Sequence, residues 1–173
     1  LSGAAFVECD IADGVRQLVE HLVSRGVRRI ALNLTNRGNR TIRQREEGYR
    51  DALRRHGLPA RAEWIVEYGA GPDDGAGSAR CLADLGVEAV IASNDQRALR
   101  LIHDFAELGI RVPEHLRVTG YDNQEFSAYC RPPLTTVDQR NERVAEDALD
   151  MILYFLEQGR FPPSRRVKPR LVV

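Results

Sequence analysis

Residues 89–137 read AVIASNDQRALRLIHDFAELGIRVPEHLRVTGYDNQEFSAYCRPPLTTV. The segment starts with a short apolar run, passes through Ser93 and Asn94 into an amphipathic helical pattern, and returns to a second apolar run just before Asp122. Polar residues that directly follow strands of a parallel sheet lie at its carboxyl edge, where open α/β sheets bind small molecules. The segment therefore predicts an α/β fold with a small-molecule site at that edge.

The same alternation of strand, helix and glycine extends over most of the chain. Apolar spacing predicts helices that end at or just before glycine, over residues 13–25, 41–55, 74–85 and 95–108. Short apolar runs predict strands over residues 30–34, 64–68, 89–92 and 116–120. Repeated βα units of this kind indicate a parallel sheet covered by helices on both faces, which is a three-layer, Rossmann-like lobe.

The pattern changes after Tyr121. A short extended LTTV segment precedes a helix predicted over residues 140–157, whose apolar residues lie nearly all round it. A helix of that kind is expected to have partners on several sides. The tail, residues 164–173, alternates around Pro169 and predicts an edge strand that returns to the sheet.

Composition excludes several classes of protein. The chain has 173 residues with 25 basic and 25 acidic side chains, which predicts about one domain and argues against a dedicated nucleic-acid surface. No apolar run approaches the roughly 18 residues of a membrane span, and the first residues lack the pattern of a secretory signal. Cys9, Cys81 and Cys130 are odd in number and have no metal-ligand spacing, which favours a reducing compartment. We expect a cytoplasmic protein.

Catalytic motifs are scarce. The sequence has no G-x-S-x-G, H-E-x-x-H, C-x-x-C or P-loop pattern, so we expect no enzyme, no cofactor and no metal. The glycines of GAGPDDG, residues 69–75, are loosely spaced like a phosphate-binding loop, but Asp73 and Asp74 would repel phosphate. A turn followed by the start of a helix is the preferred interpretation.

Three positions remain as candidate binding residues. Asn94 can offer a donor and an acceptor to a hydroxyl, although it or Asp95 could instead cap the next helix, and we assign the cap to Asp95. Asp122 could accept hydrogen bonds from two hydroxyls, or could be a turn residue. Arg45 lies early in a helix that follows a strand edge, among charges for which a solvated helix face is the safer account.

The string IASNDQRALRLIHDFAELGIRVPEHLRVTGYDN, followed by PPLTTV, resembles the effector-binding core of the lactose-repressor/galactose-repressor (LacI/GalR) transcription regulators. DGVRQLVEHLVSRGVRRIAL and REEGYRDALRRHGL match the same family in the same order, so the resemblance extends from about Val7 to the end of the chain. It implies a two-lobed, type I periplasmic-binding-protein-like domain that closes on a small effector, usually a sugar or nucleoside. In the family, an attached helix-turn-helix then reads DNA.

The resemblance also assigns roles to residues. The family's effector-binding positions fall on Arg45, Asn94 and Asp122. The resemblance further implies a homodimer. The candidate interface residues are Leu99, Ile102, Phe126 and Tyr129, and for each of them packing in the core is an equally good alternative role. Many members carry an aromatic platform for a sugar ring where this chain has residues 69–71, which are not aromatic. A standard sugar pose is therefore in doubt.

The resemblance predicts how the chain is divided. Residues 1–9 would end the crossing between lobes, residues 10–137 would form the carboxyl-terminal lobe, residues 138–163 would return towards a first lobe that is largely missing, and residues 164–173 would form the final strand. We expect the helix at 140–157 to pack on a second copy or on this lobe. DNA contact would need a helix-turn-helix outside these residues. A periplasmic sugar-binding protein of the same fold is the alternative function.

Overall fold

The computed structural model describes residues 5–35, 38–68 and 74–173, with residues 74–76 described by their backbone alone. The helices are α1 (Ile11–Ser24), α2 (Arg40–Arg55), α3 (Asp74–Asp84), α4 (Asp95–Glu107) and α5 (Asn141–Gln158). The strands are β1 (Val7–Cys9), β2 (Ile30–Leu34), β3 (Ile65–Glu67), β4 (Ala89–Ala92), β5 (Arg117–Thr119), β6 (Thr136–Asp138), β7 (Arg165–Val167) and β8 (Arg170–Val172). Two short 3-10 turns cover Ala62–Trp64 and Glu125–Ala128.

The centre of the fold is a four-stranded parallel sheet with the strand order β3-β2-β4-β5. Side chains alternate along each strand, so Ile30 and Leu32 pack with α1 and α2 on one face, whereas Ala31 packs with α3 and α4 on the other. This is the predicted three-layer α/β architecture. In sequence order, β3 is added on one side of β2 and β4 on the other, so the direction of strand addition reverses between β2 and β4. The carboxyl ends of strands at such a reversal form the crevice in which these sheets bind ligands.

The helix predictions are confirmed to within two residues at each end. Strands β2 and β4 match their predicted ranges, whereas β3 and β5 are each one residue shorter at both ends than the predicted strands. Trp64, for example, closes a 3-10 turn rather than starting β3. The prediction that the tail returns to the main sheet as an edge strand is wrong. The tail forms two strands, of which β7 pairs in parallel with β1 and β8 pairs antiparallel with β6, and neither joins the four-stranded sheet. The break falls at Lys168 and Pro169, where the Gln17 side chain binds both the Pro169 carbonyl (3.1 Å) and the Leu171 amide (3.0 Å).

Helix α5 contacts β1 and β7 along one side. Asp147 and Met151 are its buried residues, and Asp147 accepts a hydrogen bond from Arg165 of β7 at 2.8 Å. The other apolar side chains stay exposed, Leu156 with 72% of its surface accessible. The helix thus packs partly on its own chain, and packing on a second copy remains a prediction. None of the helices in the described ranges is long and apolar enough to cross a membrane.

Candidate ligand site at the edge of the sheet

Arg45 is buried on the inner face of α2. The helix starts beyond the carboxyl end of β2, where the Asn39 side chain caps it by accepting from the Thr41 amide at 2.8 Å. Only 6% of the Arg45 surface is accessible, and its guanidinium carbon lies 3.9 Å from the centre of the Tyr121 ring. Nε and one terminal nitrogen, Nη1, have no hydrogen-bond partner among the described residues. Burial lowers the pKa of Arg45, and the nearby Tyr121 and Asp122 partly offset that effect.

Arg97 provides an internal comparison. It is also almost fully buried, with 7% of its surface accessible, and its guanidinium lies 4.0 Å from the centre of the Tyr68 ring. In contrast to Arg45, it donates from Nε to the Asn33 side chain at 2.7 Å and from a terminal nitrogen to the Ser78 hydroxyl. Two arginines in matching environments therefore differ in their hydrogen bonds. Arg97 has acceptors within the protein, whereas two donors of Arg45 have no partner among the described residues. A guanidinium with free donors is suited to binding planar or paired oxygen groups.

Asp122 lies in a strained turn, within electrostatic reach of Arg45. Its φ of 108° and the φ of 49° at Asn123 both belong to the region that favours glycine, which costs about 1–3 kcal/mol per residue. The Asp122 carboxylate accepts from the Gln139 side chain at 2.6 Å, and its amide donates to Val137 at 2.9 Å. Burial raises the pKa of Asp122, whereas the Arg45 charge and the Gln139 hydrogen bond lower it. Gln139, which no sequence motif marks, directly follows β6 and holds the carboxylate in place.

Asn94 caps α4, because its side-chain oxygen accepts from the Arg97 amide at 2.7 Å. The sequence assignment of this cap to Asp95 is wrong. Asp95 is fully buried behind the helix start and binds elsewhere. Capping uses the oxygen of Asn94 and leaves its amide nitrogen without a hydrogen bond to a described residue. Asn94 and Asp122 line the same cleft of about 290 Å³, so the cap does not exclude a ligand role.

Asp122 also borders a second cleft, of about 670 Å³, which runs between the 3-10 turn Glu125–Ala128 and the start of α5. Arg45 lines neither cleft, because its guanidinium lies against the Tyr121 ring and is nearly covered. Asp122 and Tyr68 are both close enough to act on the charge of Arg45. The structure therefore places Arg45 and Asp122 within electrostatic reach of each other, and it places Asn94 and Asp122 in the lining of one cleft. Such a set can bind several hydroxyl or carbonyl groups of one small molecule.

Comparison with known proteins identifies the family. The model of the periplasmic binding protein-like domain matches residues 19–173. The chain belongs to this family. It is 35% identical over 162 residues to the HTH-type transcriptional repressor PurR of Glaesserella parasuis, covering 92% of this chain and 48% of that protein. The chain thus spans about half the length of the curated relatives that it matches.

Solved structures support the same assignment to the LacI branch. A LacI-family regulatory protein from Chloroflexus aggregans superimposes with a TM-score of 0.91 at 27% identity, covering 98% of this chain and 62% of that one. A complex of the transcriptional regulator CelR with cellobiose gives a TM-score of 0.87 at 28% identity, covering 98% of this chain and 53% of that one. The resemblance to the LacI/GalR family and the type I periplasmic-binding-like fold are therefore confirmed.

The aromatic platform of the LacI/GalR family falls on residues 69–71, which lie outside the described residues. Tyr68 directly precedes them and is a half-buried aromatic residue at this edge. Its hydroxyl lies 2.6 Å from the Ser93 hydroxyl, and the Arg97 guanidinium covers one ring face. Tyr68 is not among the residues predicted for the site, because it ends a predicted strand. Its position directly before the sequence Gly-Ala-Gly, residues 69–71, is the signal that could have placed it at the edge.

The four residues considered for a dimer interface separate into two groups. Leu99, Phe126 and Tyr129 are exposed, Tyr129 with 74% of its surface accessible, so core packing does not account for them. Ile102 is partly buried and packs against the core beneath α4. Cys9, Cys81 and Cys130 are all free thiols. Burial raises the pKa of the Cys9 thiol to about 11, so Cys9 stays protonated at neutral pH.

Proposed function

We propose that this chain is the effector-sensing part of a DNA-binding transcriptional regulator, a repressor of the LacI/GalR family. The observation that carries the proposal is the buried Arg45, whose Nε and Nη1 have no hydrogen-bond partner among the described residues. Buried polar groups without partners are rare and call for an explanation. A ligand that supplies oxygen acceptors provides one, and Asp122, within electrostatic reach of this guanidinium, would accept from the hydroxyls of the same ligand.

The chemistry favours a sugar or a related polyhydroxy molecule as the effector. Arg45 would donate to ligand oxygens, Asp122 would accept from hydroxyls, and the Asn94 amide would donate across the cleft. One solved relative is described as a complex with cellobiose, which is consistent with this class. We infer that the first lobe of the intact protein would contribute the remaining contacts and would close over Asn94 and Asp122.

The alternative of a periplasmic sugar-binding protein is less well supported. The curated relative is named an HTH-type transcriptional repressor, and the solved relatives are named a transcriptional regulator and a regulatory protein of the LacI family. A regulator of this kind works in the cytoplasm, and its three free thiols suit that compartment. We propose that it is not an enzyme and that it contacts DNA through a helix-turn-helix rather than through the lobe described here.

We also propose that the regulator is a homodimer. Phe126 and Tyr129 lie in the segment before β6 and Leu99 lies on α4, and all three have exposed apolar side chains. Ile102, also on α4, is partly buried against the core. The exposed apolar side of α5 is a separate surface, for which the first lobe or a second copy is the proposed cover.

The test begins with a thermal-shift screen of pentoses, hexoses, disaccharides, nucleosides and nucleobases against the purified protein. Each hit is then measured by calorimetry with wild type, Asp122→Ala and Glu107→Ala, the last being an exposed carboxylate at the far end of α4. We expect Asp122→Ala to abolish effector binding and Glu107→Ala to preserve it. In the intact regulator, Asp122→Ala should also abolish the effector response in a gel shift and leave operator binding in place. Unchanged effector affinity in Asp122→Ala would remove this residue from the site.

A further inference from the structure

Asp95 is completely buried and contacts the turn that carries Asp122 from below. Its backbone amide donates to the Tyr121 carbonyl at 2.8 Å. One carboxylate oxygen accepts from the Gln124 amide at 2.7 Å, and the other accepts from the Thr136 hydroxyl at 2.5 Å. Asp95 is therefore bonded to both ends of the turn, which runs from residue 121 to residue 124.

The remaining amides of the turn are held by β6. The Thr136 hydroxyl oxygen accepts from the Asn123 amide at 3.2 Å, and the Asp122 amide donates to the Val137 carbonyl at 2.9 Å. Each of the three amides at positions 122–124 therefore has a partner outside the turn. The positive φ values at Asp122 and Asn123 strain the backbone, and a strained turn relaxes unless its surroundings hold it. These hydrogen bonds hold it.

The close approach of Asp95 requires the glycine that precedes the turn. A Cβ atom built on Gly120 would lie 2.1 Å from a carboxylate oxygen of Asp95, too close for any real contact. Asp95 is also not needed to cap α4, since Asn94 has that role. Its buried carboxylate therefore serves the turn rather than the helix.

We propose that Asp95 is a positioning residue of the ligand site: together with Thr136 it holds the strained turn in the conformation that places Asp122 at the cleft it shares with Asn94. Asp95 itself is buried away from the cleft and would not touch the ligand. The role as part of a ligand site rests on the proposed function, whereas the control of the Asp122 turn by Asp95 can be measured without any effector.

Two NMR measurements on the purified protein test this inference: amide hydrogen exchange, and the carboxyl carbon titration of Asp122. The variants are Asp95→Ala, Asp95→Asn and, as a matched control at the same helix start, Asn94→Ala. Asp95→Ala should speed exchange of the Gln124 amide by about tenfold or more, because its charged acceptor is lost. Exchange in the central strand β4, for example at Val90, should be unchanged.

Asp95→Asn removes the same charge as Asp95→Ala but keeps an oxygen that can accept from the Gln124 amide and a nitrogen that can donate to the Thr136 hydroxyl oxygen. The difference between the two variants therefore reports on the turn alone. We expect the Gln124 amide to exchange slowly in Asp95→Asn, as in wild type. The pKa of Asp122 should lie closer to its ordinary value in Asp95→Ala than in Asp95→Asn. Asn94→Ala should leave both readouts at Asp122 and Gln124 near wild type.

The inference is overturned if Asp95→Ala leaves the Gln124 exchange and the Asp122 titration unchanged, or if exchange accelerates equally in β4, which would indicate a loss of global stability only. If Asp95→Ala does not fold, Thr136→Val replaces it, because that change removes the hydroxyl which links Asp95 to the Asn123 amide. Faster exchange at Asn123 and Gln124 in Thr136→Val supports the inference, and unchanged exchange overturns it. A failed effector screen would leave these results standing, so the two proposals fail separately.

Discussion

Replacing Arg45 with methionine should make the protein more stable and at the same time remove its ligand binding. Most substitutions of buried residues destabilise a fold, so the opposite sign is a demanding expectation. It follows from the two guanidinium nitrogens of Arg45 that are buried without a hydrogen-bond partner among the described residues. Methionine keeps the length of the side chain, fills the same space against the Tyr121 ring and carries no donor.

The expected size can be worked from these contacts. Each buried donor without a partner costs about 1–3 kcal/mol, so the two nitrogens together cost about 2–6 kcal/mol. The cation–π contact with Tyr121, at 3.9 Å, returns up to about 2 kcal/mol and is lost in the variant. The sulfur of methionine recovers part of that loss by its own contact with the ring. The net gain in the free energy of unfolding should be about 1–3 kcal/mol, and each kcal/mol raises the Tm by about 2–4 °C in a domain of this size.

Arg97→Met is the matched control. Arg97 has the same burial and the same contact with an aromatic ring, but it donates to Asn33 and Ser78. Its removal would leave these buried acceptors without a partner, so the control should lose about 3–5 kcal/mol. Urea unfolding of the three proteins without effector gives the comparison. A loss of stability in Arg45→Met as large as that in Arg97→Met would show that Arg45 is a structural residue, and the reasoning would be refuted.

Two further changes test the electrostatics of the site and the packing of α5. Burial raises the pKa of Asp122 in the folded state above its value in the unfolded state. The stability that this difference contributes is fully present below about pH 3.9, the unfolded pKa, and is lost as the pH rises through the folded-state pKa. The gain in unfolding free energy from Asp122→Asn should therefore grow between pH 3.5 and pH 7 in paired urea titrations, and a difference independent of pH would contradict the shift. On α5, Met151→Ala should cost about 2–5 kcal/mol because Met151 is buried, whereas Leu156→Ala should stay within about 0.5 kcal/mol. Equal losses in thermal unfolding would mean that the exposed side of α5 is covered in solution.

Local patterns were sufficient to predict the main sheet and its helices. Helical spacing of apolar residues followed by glycine located the four helices that flank the sheet, and short apolar runs located its strands. The tail was harder, because the strands that it pairs with, β1 and β6, are only three residues each. An alternating pattern shows that a segment is extended and does not show which edge receives it. The sequence also could not predict which side of α5 is buried, since burial depends on neighbours that are distant in the chain.

The site shows the same division between local and distant information. The positions of Asn94 and Asp122 at strand ends could be predicted from adjacent residues. The choice between Asn94 and Asp95 as the cap could not, because either side chain can cap a helix. That choice depends on Thr136 and Gly120, which receive the Asp95 carboxylate from other parts of the chain. Likewise, nothing in the sequence distinguishes Arg45, whose donors are unused, from Arg97, whose donors are satisfied.

The central claim is that the unused donors of Arg45 belong to a ligand, and a crystal structure with a bound hit from the effector screen tests it most directly. We predict a ligand oxygen within about 3.2 Å of Nε or Nη1 of Arg45, with the Asp122 carboxylate accepting from the same molecule. A ligand bound elsewhere on the protein, with both nitrogens of Arg45 still without a hydrogen bond, would contradict the claim.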